Sequence, residues 1–104
     1  MSQQDIGAKI GEAWRAHYQG QDQAAITRFL QLVTEAPDNI DVYWGLGLSY
    51  KDAGDKTNAV QVFQKVKSLV TTLLESEAGQ FERYFMLNRM VDQQIQQMND
   101  FLNK

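Results

Sequence analysis

Six residue pairs in this 104-residue chain lie 34 positions apart and match in kind: Ala13 with Gly47, Gly20 with Gly54, Ala25 with Ala59, Ile26 with Val60, Phe29 with Phe63, and Leu32 with Val66. A constant period of this size is the mark of helical hairpins stacked side by side, because a pair of short helices and their turns take up about that length of chain. Such stacks leave an extended concave surface and work by holding another chain rather than by chemistry. The period therefore constrains both architecture and mode of action, and it names no ligand.

The local signals agree with the period. Strand patterns are almost absent, and apolar residues recur at helical spacing over five segments. A first helix is expected from about residue 5 to 18, with Ile6, Ile10, Ala13, Trp14 and His17 on one broad face, stopped by Gly20. A second is expected from about 22 to 36, with Asp22 as its N-cap and Ala25, Ile26, Phe29, Leu32 and Val33 on its inner face. Pro37 closes it, since proline drives the preceding residue out of the helical region. A third runs from about 40 to 53 and stops at Gly54; Asp55 then caps a fourth that carries its apolar pattern to about residue 75. Ser76 and Gly79 mark a break, and a fifth helix, starting near 77 or 79, runs to about 102. Its first half is apolar nearly all round (Phe81, Tyr84, Phe85, Met86, Leu87, Met90, Val91), and its second half narrows to Ile95, Met98, Phe101 and Leu102 among glutamines.

The second unit reads Tyr43-x-x-Leu46-Gly47-x-x-Tyr50, then Gly54-Asp55, then Ala59-x-x-x-Phe63. It resembles the tetratricopeptide repeat, with Tyr43 where that family often has tryptophan. Gly47 and Ala59 are small where two antiparallel helices approach, while Tyr50 and Phe63 fill the space on either side. The first unit keeps Ala13, Gly20, Ala25, Phe29 and Pro37 but departs at Lys9, Glu12 and Ala16, where large apolar residues are usual. That departure reads as an N-terminal edge whose outer face meets water. A further step of 34 fails: Ala59 falls on Gln93 and Phe63 on Gln97. The resemblance thus implies an all-α domain, an α-α superhelix of two hairpins (about 6–39 and 40–75) with a long C-terminal capping helix over about 77–103, the whole chain forming one domain.

In that family the first helix of each hairpin lines the concave groove that receives peptides. Carried over by register, the resemblance places Ile10, Trp14, His17 and Tyr18 there from the first unit, and Trp44, Leu48 and Lys51, with Asp41 and Asp52 beside them, from the second. Aromatic side chains of this kind are enriched at binding hot spots. The same rings could instead pack against the fifth helix, and the sequence leaves both readings open. A carboxylate clamp of the chaperone-binding kind is not expected, because Ile10 and Trp14 occupy the places of its lysine and asparagine.

Composition removes other classes. The formal charge of -3 and the scattered ten Lys and Arg give no basic field for nucleic acid. With no cysteine there is neither a disulfide frame nor a thiolate nucleophile. No stretch approaches the roughly 20 apolar residues of a membrane span, and residues 1–14 lack the apolar run of a signal peptide, so a cytoplasmic location is expected. His17 is the only histidine and lacks a positioned partner in sequence, no Glu-x-x-His pair supports a metal, and Gly45 and Gly47 sit within a helix rather than in a phosphate loop. The expectation is a non-catalytic protein with no cofactor and no metal, binding a peptide or helical segment of a protein partner as an adaptor or assembly factor. The alternative is a self-assembly module that forms a homodimer through Ile95, Met98, Phe101 and Leu102, on a fifth helix long enough to overhang the hairpins.

Overall fold

The computed structural model describes residues 3–76 and 81–102, with side-chain surroundings for 6–75 and 83–99. It contains α1 (Gln3–Tyr18), α2 (Asp22–Glu35), α3 (Ile40–Asp52), α4 (Lys56–Ser76) and α5 (Phe81–Leu102). Each observed boundary lies within two residues of its expected place, apart from the start of α5; residues 77–80, where a start was expected, lie outside the described residues.

The two internal turns are built alike. Gly20 and Gly54 adopt φ of 75° and 84°, a left-handed conformation that a Cβ would disfavour. At each, the glycine N–H donates to the carbonyl three residues back (His17, Lys51) and the next N–H to the carbonyl five back (Ala16, Tyr50). This is the Schellman arrangement, which satisfies carbonyls at a helix end. The following helix starts are not alike. The Asp55 carboxylate accepts from the Asn58 backbone N–H at 3.2 Å and from its side-chain amide at 2.7 Å. Asp22, expected as the cap of α2, is instead its first residue; Gln21 holds the cap position and its side chain makes no capping bond. Asp55→Ala is therefore expected to cost about 1 kcal/mol and to lower the thermal midpoint by roughly 4–8 °C, read by calorimetry.

Consecutive helices pack on each other, α1 on α2, α2 on α3, α3 on α4 and α4 on α5, and α1 also touches α3. Two apolar clusters result. One gathers Ala13, Ala25, Phe29, Leu32, Val42 and Leu46 from the first three helices. The other gathers Tyr43, Ala59, Phe63, Val66, Val70 and Val91 from the last three. Phe29 and Phe63, one period apart, are both fully buried, one in each cluster. Gly45 and Gly47 set how close α3 comes to its neighbours, for a Cβ on Gly45 would stand 2.3 Å from the Phe29 ring, and one on Gly47 2.5 Å from the Phe63 ring. Gly47 is legible as a close-approach residue from the repeat; Gly45, which meets the preceding hairpin, is not.

The N-terminal edge is polar only in part. Lys9 pairs with Glu35 at 3.0 Å and Arg28 with Glu12 at 3.2 Å, tying α1 to α2 across the surface. Ala16, expected to face water, is buried, as a member of the first apolar cluster with residues of α2 and α3.

Candidate functional site

The strip of side chains expected to face the concave side divides into an α1 half that α5 does not reach and an α3 half that α5 borders. On α1, Trp14 stacks edge-on against Phe29 at 5.6 Å between ring centroids, and it meets His17 and Tyr18 at 5.7 Å each. Ile10 and Trp14 are half-buried against the first cluster. Tyr18 stands at the end of this aromatic row with 78% of its surface exposed. His17 points inward, its Nδ1 buried without a hydrogen-bond partner and 3.6 Å from an Asp52 carboxylate oxygen on α3, too long for a hydrogen bond.

On α3, Trp44 packs against Phe63 at 5.4 Å. Trp44 and Leu48 belong to the half-buried rim of the second cluster, together with Tyr84, Leu87 and Ile95 of α5. Lys51 donates to the side-chain oxygen of Gln94 on α5 at 2.9 Å. The open alternative of the sequence thus resolves differently in the two hairpins: the fifth helix reaches the edge of the α3 strip and leaves the α1 strip uncovered. Neighbouring Tyr43 keeps its core place. Burial, and after it the Asp38 carboxylate, push its hydroxyl above the ordinary value of 10, while the Lys65 ammonium sits 5.8 Å from its ring centre.

The self-association face has a different fate. Met98 is only 5% exposed and Ile95 packs into the second cluster, so neither stands on an overhang. The reason is length: α4 has 21 residues and α5 has 22, so α4 underlies α5 for nearly its whole run, and a Lys67–Asp92 ion pair fastens the two. The side chains of Phe101 and Leu102 lie outside those described. Among the described residues no three His, Cys, Asp or Glu side chains come together as a metal site, and no helix is long and apolar enough to cross a membrane.

Five helices in successive hairpin contact, with recurring turns and recurring buried phenylalanines, define an all-α helical-repeat protein. Residues 41–69, covering most of α3 and the first two-thirds of α4, match the family model of the tetratricopeptide repeat. The match supports reading the second hairpin as such a repeat, and the all-α arrangement around it is consistent with a tetratricopeptide-like helical repeat. Repeats of this kind are in general protein–protein interaction modules and typically carry no catalysis. Neither the curated proteins nor the solved structures contain a match to this chain.

Proposed function

We infer that the chain is a non-catalytic adaptor or assembly factor that takes a segment of a partner protein on its concave side, against Ile10, Trp14, His17, Tyr18, Trp44, Leu48 and Lys51. The observation that carries this reading is Tyr18. Tyr18 is 78% exposed and continues the ring row of Trp14 and His17, and a contiguous aromatic row open to water marks an interaction surface where a lone exposed ring would not. Aromatic rings held rigid by one another bind at low entropic cost and offer a polar tip to the partner. A cytoplasmic location and one domain over the whole chain belong to the same reading.

Tyr18→Ser is the informative variant, because Trp14 and Trp44 each brace a buried phenylalanine and their loss would disturb the fold. Affinity capture followed by titration with the captured partner should show binding weakened about tenfold or more, corresponding to roughly 1.4 kcal/mol, with an unchanged melting temperature. Equal affinity of the Tyr18→Ser protein for its partner would remove the concave strip as the site.

A further inference from the structure

One inter-helix contact recurs at a changed step. His17 on α1 reaches Asp52 on α3, and Lys51 on α3 reaches Gln94 on α5. His17 and Lys51 are 34 positions apart, but Asp52 and Gln94 are 42 apart. The first helix of a third unit is therefore present in α5, entered eight residues later than the period predicts. Helix α4 has 21 residues where α2 has 14, which accounts for all but one residue of the delay. On the side facing α4, Val42 and Ser49, both fully buried, step to half-buried Tyr84 and fully buried Val91, while buried Tyr43 and Gly47 step to exposed Phe85 and Arg89, which no further helix covers among the described residues.

The same step carries Trp44 to Met86 and Leu48 to Met90. These methionines are 64% and 45% exposed, on the side of α5 that continues from Gln94. The side that a second helix of a third hairpin would cover has Asn88, Arg89 and Asp92 where α3 has Leu46, Gly47 and Tyr50, with Phe85 in the place of Tyr43, so it is polar in large part. The exposed methionines are thus left unexplained by the stack itself.

We propose that the concave strip spans three helices, in rows Ile10–Trp44–Met86 and Trp14–Leu48–Met90, and that its occupant is an amphipathic helix of a partner with a basic flank. This rests on the concave-side reading above and extends it. An extended peptide brings unpaired backbone groups that need partners. The polar row beside the strip offers few, since Lys51 is held by Gln94 and His17 is mostly enclosed. A helix satisfies its own backbone and presents only an apolar stripe. Helices α1 and α3 touch, and α3 meets α5 through side chains; three helices at about 10 Å or more make a strip of about 20 Å or more, matched by roughly 14 helical residues. Unbranched, polarizable methionines adapt to such a face. At the α3 N-terminal margin a cleft is lined by Asp38, Asp41 and Arg83, two carboxylates to one guanidinium, in a chain of charge -3. That margin favours lysine or arginine on the incoming helix.

The test uses two synthetic helical peptides of about 14 residues, with leucines repeating every three or four positions and either lysines or glutamates along one flank. Each is titrated into the full chain, with the methionine methyl resonances followed by NMR. The lysine peptide should bind about tenfold tighter than the glutamate peptide and shift the Met86 and Met90 methyls. Met86→Ser with Met90→Ser should weaken it about tenfold at an unchanged melting temperature, and Asp38→Asn with Asp41→Asn should erase the preference for lysine. Absence of binding to either peptide, or binding with both methyls unmoved, overturns the proposal. Weakening by Tyr18→Ser but not by the methionine pair removes the third helix while leaving the α1–α3 strip standing. Indifference to all of these substitutions removes both. Concentration-dependent dimers in sedimentation, abolished by the methionine pair, would make a second copy the occupant and overturn the partner helix.

Discussion

Gly45→Val is expected to remove a large part of the protein's stability, while Gly11→Ala, one period earlier in the same register, makes the protein more stable. A Cβ at Gly45 would lie 2.3 Å from the Phe29 Cζ and 2.6 Å from its Cε1, against a ring with no exposed surface and no room to retreat. Overpacking of a closed core costs about 1–3 kcal/mol for modest insertions. Valine adds two further methyls at a helix crossing, so a loss of 3 kcal/mol or more is expected, a large part of the 5–15 kcal/mol that holds a domain together. At Gly11 a Cβ would meet nothing within 4 Å. There the alanine gains only its helix propensity, up to about 1 kcal/mol over glycine. Denaturant midpoints of both variants check the pair. The mechanism has a further mark: Phe29→Leu, destabilising alone, should partly rescue Gly45→Val, giving a coupling that independent sites would not show. A Gly45→Val midpoint equal to the wild type would mean that α3 and α2 do not cross where the geometry places them.

Removal of α5 is expected to have a comparable effect. A chain ending at residue 76 loses fully buried Val91 and half-buried Tyr84, Leu87 and Ile95 from the second cluster. It thereby bares Tyr43, Val66, Val70 and the rims of Trp44 and Leu48. At about 1.5–3 kcal/mol for each fully buried side chain, and less for the three half-buried ones, the loss is about 5–8 kcal/mol. Two hairpins without a cover are marginal in any case, since each leaves an apolar face to be buried by the next. The truncated chain should show a broad, weakly cooperative melt and bind a hydrophobic dye, with the second hairpin losing amide protection before the first. A sharp two-state transition within a few degrees of the full chain's would show that α5 is an accessory and that the second hairpin closes on itself.

Helix ends were the most legible part of this molecule, because their causes are local. Gly20 and Gly54 terminate their helices through a left-handed φ that glycine alone adopts cheaply, Pro37 keeps Ala36 out of the helical region (φ -137°, ψ 70°), and Asp55 carries its cap within four residues. Asp22 shows the limit of such reasoning: aspartate is equally acceptable at a cap and in a first turn, so the residue type does not choose between adjacent positions. The aromatic strip was legible as a register position and not as a surface, for whether Trp44 and Leu48 meet water depends on where α5 lies.

The sequence by itself determined the hairpins, their turns and the period that aligns Phe29 with Phe63, because each of these follows from contacts or conformational preferences within a few residues, repeated 34 positions on. Tertiary structure alone decided that Ile95 and Met98 turn inward, that Lys51 is taken by Gln94, and that Met86 and Met90 stand beside the strip. Those outcomes hang on the seven residues by which α4 exceeds α2. Added length shifts both where the next helix begins and which way each of its side chains faces, and a pattern of apolar residues shows that a helix has an inner face without showing which neighbour it will meet.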